Sequence, residues 1–555
     1  MFFTKPLRER GIIRRMSVLQ AGWRRATLTA LAAALFVQPL APLQAQVNRL
    51  PRDTPNLPHL GDGQTMSLSA ERRLGDHMAR AIFRDPDYLD DPVLGEYLAS
   101  LWRPLMDAAQ RRGELTPEMA ERFAWRLMLS RDNTVNAFAM PGGNLGVHLG
   151  LIAMTGSADE LASVLAHELT HVTQRHIARN IDKQSQQAPL LLAGMLLGIL
   201  AASAANNADI GGAAIAGGQA LAVQNQLNFS RDMEREADRV GFGVMRDAGF
   251  EGQGFVSMFE RLQQSARLND DGGFPYLRSH PLTTERMADM RARLPMHDHA
   301  SHAGTASVSS TSPHNAWVHA LMAARARVLA HAGADRQRAR TDAHQSATAA
   351  SDGPARAARH YTTALVALQQ RDVGTALQAT QALLTLPGLD AAALPVAQAL
   401  AVEVLLQAPA GQSLLGEPLP TWADRLATRG SRTGLLMAAQ AARAGGQPAA
   451  MARASERLLT WVTERPTDAL AWQTLATLYR AQNQTLRAVR ADAEAQVAML
   501  DYPGAIDRFK SAQNLARSQP QADHFELSIL DARTRDVMRL QAEIERDAAA
   551  QRGPR

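Results

Sequence analysis

The residues best suited to chemistry are His167-Glu168-Leu169-Thr170-His171. Two histidines four positions apart on a helix project from the same side in successive turns, so both imidazoles can grip one metal ion. The carboxylate beside the first can take the proton of a water that the ion activates, while the ion polarises a substrate carbonyl. That chemistry is metal-assisted hydrolysis. The pentapeptide alone also suits a histidine pair of purely structural use, so a third ligand has to be found. Two glutamates compete for that role downstream, Glu234 and Glu236. On a helix Glu234, Asp238 and Gly241 line up beside the apolar stripe Met233, Ala237, Val240 and Val244, whereas Glu236 points elsewhere. Glu234 as ligand places Asp238 one turn on, where it can accept a hydrogen bond from the outer nitrogen of His167 or His171. Two His and one Glu make the ligand set of a catalytic zinc site with an open position, so one Zn2+ per chain is expected. His280 stands beside Pro281, which restricts its backbone. It either reaches the metal as a removable fourth ligand, meets the substrate oxyanion, or caps the helix begun by Thr283, Thr284 and Glu285. His176, five positions beyond His171, is rotated off the ligand face and reads as a bystander. His148 reads as structural.

These residues need elements to carry them. Ser157 and Glu160 form a capping box, with Asp159 and Glu160 in the first turn where the helix dipole favours carboxylates. The spacing predicts a helix from Ala158 to Asn180. Upstream, helical patterns cover 70–84, with Ser69 offering a cap, and 91–111. Residues 126–130 and 135–140 read as strands, and Pro141-Gly142-Gly143-Asn144 turns the chain into a further strand at 145–149. The resulting hairpin precedes the metal helix, where an edge strand can take up an extended peptide by strand addition. Residues 184–208 carry no charge. Their strongly apolar part is shorter than the roughly twenty residues a membrane span needs, and glycines interrupt it. The favoured reading is a lid of two helices over the cleft, with a peripheral membrane contact through 188–205 left open.

The chain has 555 residues, enough for two or more domains, and its 5% aromatic content with abundant alanine points to a mainly α architecture. Its net charge of +5 sits in the first 45 residues, where Lys5, Arg8, Arg10, Arg14, Arg15, Arg24 and Arg25 oppose only Glu9. The remainder is near neutral, which argues against nucleic acid as a partner. That basic start, the apolar run 26–37 and the small-residue site Leu43-Gln44-Ala45 read as a signal peptide over 1–45 and predict export. With no cysteine, a metal site has to use His and carboxylates.

His167-Glu168-x-x-His171 followed by Glu234-x-x-Ala237-Asp238 resembles the thermolysin-type gluzincins. In detail it is similar to the family containing the heat-shock membrane protease, the mitochondrial overlapping-activity protease and the CAAX prenyl endopeptidase. The hairpin over 135–147 and the block over 228–241 resemble that family as well. Within it, the leader, the arm Leu57-Pro58-x-Leu60-Gly61, the segment Arg278-Ser279-His280-Pro281-Leu282 and the helical tail resemble the periplasmic β-barrel assembly-enhancing proteases of Gram-negative bacteria. The resemblance implies an α+β gluzincin metallopeptidase domain over 46–295. It also implies a periplasmic zinc endopeptidase with chaperone-like activity, acting on unfolded or misassembled proteins beside the outer-membrane β-barrel assembly machinery.

Residues 296–314 have linker composition, and 315–555 read as an all-α tail of tetratricopeptide-like helix pairs with a disordered insertion near 333–354. Trp472, Leu475, Ala476, Tyr479, Ala488 and Ala495 match one repeat, with Pro466 just ahead, and Ala493, Ala505, Phe509 and Ala512 match the next. A repeat array offers a concave binding groove. The rival reading is a tetratricopeptide chaperone or scaffold whose metal site is latent. If the tail is separable, a chain ending near Pro313 is expected to keep cleaving small peptides.

Overall fold

The computed structural model describes residues 66–187, 231–268, 275–294, 315–330, 353–517 and 524–551. The expected leader, the apolar stretch 188–205, the linker 296–314 and nearly all of the insertion lie outside the described residues. Residues Leu60–Arg555 form one compact unit. It is mainly helical with two small sheets among the described residues.

Helix α1 (Leu68–Phe83) starts two residues before its expected first residue, because Ser67 rather than Ser69 accepts a hydrogen bond at the N-terminus, from Ala70 N at 3.2 Å. Helix α2 (Pro92–Arg111) begins with a proline whose missing N–H costs nothing in the first turn, and Asp91 caps it. It buries Leu94, Leu98, Leu101 and Leu105 along one face. Helix α3 (Pro117–Arg122) follows. Strands β1 (Tyr88–Leu89), β2 (Arg126–Ser130), β3 (Ala137–Met140) and β4 (Asn144–His148) lie in the order β1-β2-β4-β3. Strand β4 runs parallel to β2 and antiparallel to β3, with Phe138 opposite Gly146. The hairpin reverses through Gly142 and Gly143, whose φ of 68° and 80° are costly for residues with a Cβ. Strand β3 is therefore an edge strand.

The chain then forms α4 (Leu149–Met154) and α5 (Ala158–Thr173), the helix of the His-Glu-Leu-Thr-His motif. Ser157 accepts from Glu160 N at 3.1 Å, and the Glu160 carboxylate accepts from Gly156 N at 2.6 Å. Ser157 thus caps the helix and fixes its start at Ala158, while Glu160 closes on Gly156, one residue before the cap, instead of on Ser157 as a capping box would. The end differs from expectation: Arg175 is left-handed, with φ 52°, and the chain restarts as α6 (His176–Gln187). Glu71 of α1, itself buried, binds the Arg175 guanidinium at 3.0 Å and holds this break.

Helix α7 (Arg231–Asp247) packs across α5 at Gly241, where a Cβ would lie 3.1 Å from Ala166 O and 3.2 Å from His167 N. Gly241 therefore lets the Glu234 helix approach the histidine helix closely. Helices α8 (Gln253–Leu268), α9 (Pro275–Ser279) and α10 (Thr284–Ala292) complete this half.

Helices α11 (Ala316–Ala330), α12 (Gly353–Gln369), α13 (Val373–Leu384) and α14 (Leu394–Gln407) follow, then a two-stranded ribbon of β5 (Ser413–Leu414) and β6 (Glu417–Pro418). The series ends with α15 (Leu419–Ala427), α16 (Arg432–Gly445), α17 (Pro448–Glu464), α18 (Ala469–Ala481), α19 (Thr485–Ala498), α20 (Tyr502–Arg517) and α21 (His524–Gln551). Trp472, Leu475, Ala476, Tyr479, Ala488 and Ala495 share one apolar cluster, and Ala493, Ala505, Phe509 and Ala512 share another.

The two halves are welded rather than strung together. One apolar cluster runs from Leu94 through Leu165 to Leu321 and Leu400. Across it the buried Arg325 of α11 binds Asp91 at 2.7 Å, Glu403 of α14 at 2.6 Å and Tyr361 of α12 at 3.1 Å. Farther along, Leu500 joins Phe138 and Met140 of β3 in an apolar cluster, with Arg84 bound to Asp501 at 3.0 Å. His319 of α11 gives Nε2–H to Thr155 O at 2.9 Å and takes the Tyr97 hydroxyl at Nδ1 at 2.7 Å, a pairing that fixes a neutral imidazole. Burial holds its pKa below the ordinary 6.5, although the bond to Thr155 works the other way.

A histidine kept neutral in the fold binds fewer protons than in the unfolded chain, so its contribution is complete above about pH 6.5 and is lost as pH falls below it. The urea midpoint of the protein should fall from pH 7 to pH 5, and His319→Gln should flatten part of that slope. An unchanged slope in the variant would remove His319 as a source of the pH dependence.

Candidate active site

Four side chains from three places in the sequence converge. His167, His171, Glu234 and His280 each offer one ligand atom, all within 4.8 Å of one another, and all four residues are buried. The Nε2 atoms of His167 and His171 are 3.0 Å apart, and Glu234 lies 3.5 Å from each ring. His280 Nδ1 is 3.0 Å from Glu234 Oε1 and 3.3 Å from His167 Nε2. Thr283, not His280, caps α10 through Arg286 N at 3.2 Å, so His280 is free of that structural task. Its ring lies against Tyr276, 4.7 Å away between centroids at a 31° tilt.

Glu168, fully buried, turns toward the edge strand. Its Oε2 accepts a hydrogen bond from Ala139 N at 2.9 Å, while Oε1 has no hydrogen-bond partner and lies 3.4 Å from His280 Nε2. A buried carboxylate oxygen left without a partner is costly unless something else comes to it. Two imidazoles, a carboxylate and this oxygen, in a chain without cysteine, fit a hard or borderline divalent metal.

Around the cluster lies a shell of charge. Asp238 accepts from His167 Nδ1 at 3.0 Å, and Arg286 clamps Asp238 with contacts of 2.6 and 2.8 Å while reaching Glu234 at 2.8 Å. Burial pushes the Glu168 carboxyl up. Burial works to lower His167, but its hydrogen bonds to Asp238 and Glu234 outweigh that and raise it to about 9. His171 is pushed well below 6.5 by burial and by the charge on His167. Burial alone would raise Glu234 and Asp238, yet both are lowered, Glu234 mainly by His280 and His167 and Asp238 mainly by Arg286.

One sequence expectation changes here. His176 is no bystander: because α5 stops before it, its Nδ1 comes to 2.9 Å from His171 Nδ1. Its Nε2 lies 3.1 Å from Glu236, which also pairs with Arg179 at 2.9 Å. Arg286 went unnoticed as well. A buried arginine three residues past a helix-capping threonine carries no motif of its own, and only its contacts single it out. His148 lies outside the cluster, bonded to Thr134 at 2.9 Å.

Residues 97–294 match the model of Peptidase family M48. Over 265 residues the chain is 34% identical to the beta-barrel assembly-enhancing protease of Escherichia coli, covering 47% of this chain and 51% of that protein. The protein of that name from Yersinia pestis is 34% identical over 239 residues, covering 43% of this chain and 47% of its own. The mitochondrial metalloendopeptidase OMA1 of Saccharomyces cerevisiae is 27% identical over 240 residues, 41% of this chain and 65% of that protein. The chain spans about half the length of the bacterial relatives it matches.

Proposed function

We propose that this chain is an exported, periplasmic zinc endopeptidase with chaperone-like activity toward misassembled or stalled outer-membrane β-barrel proteins, working beside the β-barrel assembly machinery. The observation that supports the chemistry best is the convergence of His167, His171 and Glu234 with the Glu168 carboxylate facing the same point. The names of the bacterial relatives support the client class. The helical tail supports the partner role, since stacked helix pairs of the tetratricopeptide kind present a groove.

His167, His171 and Glu234 would hold the zinc. A zinc ion so held would supply Lewis-acid polarisation of the scissile carbonyl and would acidify water. Glu168 is the base, its raised proton affinity suiting it to accept a proton and hand it to the leaving amine. Ala139 N–H anchors one Glu168 oxygen and leaves the other for the reaction. Strand β3, last in its sheet, takes an extended substrate by strand addition. Asp238 fixes the tautomer of His167, with Arg286 fixing Asp238.

His280 would serve as a removable fourth ligand or as a substrate contact. Four protein ligands close a zinc site, whereas a catalytic one keeps a position open. That closure favours a second reading, a tetratricopeptide chaperone whose metal site stays latent. The purified chain should contain about one zinc, as a single catalytic site requires, and digest casein in a manner abolished by chelator and restored by zinc. Metal-free protein that digests casein equally well would overturn the proposal.

A further inference from the structure

We propose that His176, with Glu236 behind it, is the positioning residue for His171. The inference rests on the zinc reading above. His171 presents Nε2 to His167 and Glu234, leaving Nδ1 as its outer nitrogen, and that nitrogen meets His176 Nδ1 at 2.9 Å. An imidazole that gives Nε2 to a metal carries its proton on Nδ1. His171 Nδ1–H therefore donates to His176 Nδ1, and His176 Nε2–H donates to the Glu236 carboxylate at 3.1 Å. A negative charge is thereby passed inward through two rings, the arrangement that fixes a ligand's orientation and raises its basicity. His167 has its own carboxylate in Asp238, directly bonded. For His171 the relay brings one at a distance, through His176 to Glu236.

The backbone is built for this. A continuous helix would carry residue 176 off the ligand face; the left-handed Arg175 turns it back, and Glu71 pins Arg175 from α1. His176 is fully buried, and its ring lies 4.9 Å from that of His171 at 76°. Glu236 is part-exposed on α7, held in place by Arg179.

The test uses the full chain, with zinc affinity measured by chelator competition and the visible spectrum of the cobalt-substituted protein. His176→Phe, which keeps a flat ring but no acceptor, should weaken zinc by about ten- to a hundredfold and shift the cobalt bands. His176→Asn, whose carboxamide oxygen can accept from His171, should recover part of the loss. For a small peptide kcat should fall while KM stays put. Wild-type affinity, cobalt spectrum and kcat in His176→Phe would overturn the inference while leaving the zinc reading intact. A wild-type chain that takes no zinc overturns both. Should His176→Phe fail to fold, Glu236→Ala decides at a part-exposed position: a loss of up to about tenfold in affinity supports the relay, and no change overturns it.

Discussion

Glu168→Gln lowers peptide hydrolysis by about a hundred- to ten-thousandfold and leaves the metal in place. The reasoning is local. Glu168 is not one of the four grouped side chains, and its Oε2 is already occupied by Ala139 N–H. A glutamine oxygen can keep that hydrogen bond, so the edge strand and the helix stay where they are. What disappears is a buried carboxylate oxygen beside the cluster that lacks a hydrogen-bond partner, and with it the capacity to take a proton. Steady-state cleavage of a small peptide, with zinc content measured on the same sample, separates the base from the ligands. Loss of zinc along with activity would make Glu168 a ligand instead. The same variant separates the two functional readings: a chaperone with a latent site supports outer-membrane protein assembly as well with Glu168→Gln as without it.

Arg325→Met should destabilise the fold by about 3–5 kcal/mol, the cost expected when one partner of a buried ion pair is removed. Asp91 would be left buried with only its capping bond to Leu94 N, and Glu403 and the Tyr361 hydroxyl would each lose a partner. Glu403 retains some exposure and can be partly hydrated, which sets the expectation toward the lower end. Adding Asp91→Asn should recover part of the loss. Urea unfolding read by circular dichroism measures it, and a change below about 1 kcal/mol, the range of exposed pairs, would contradict the buried-network account.

The same contacts revise the expectation for a chain ending near Pro313. The cut removes α11 from the core it shares with α2 and α4, and removes Leu500 from the cluster with Phe138 and Met140 on the candidate substrate strand. Such a chain should unfold or lose activity even toward small peptides.

The grouping of His167, His171 and Glu234 was readable because helical spacing is a local property: four residues place His167 over His171, and the same rule separates Glu234 from Glu236. The Ser157 cap fixed the start of α5, and Gly142 and Gly143 fixed the hairpin turn. What escaped depended on long-range contacts. The helix end at Arg175 rests on Glu71, 104 positions away in sequence, and no propensity signal at Arg175 announces it. His176 was misplaced for that reason alone. Arg286 and Arg325 gain meaning only from the carboxylates around them, and the joining of the two halves follows from an apolar face on α11 whose partner the sequence does not name.

Zinc content after dialysis of three full-length proteins tests the central claim most directly. Wild type should hold about one zinc per chain, Glu234→Gln essentially none, and Glu236→Gln about one at somewhat weaker affinity. Full zinc in Glu234→Gln together with loss in Glu236→Gln would contradict the site as assigned.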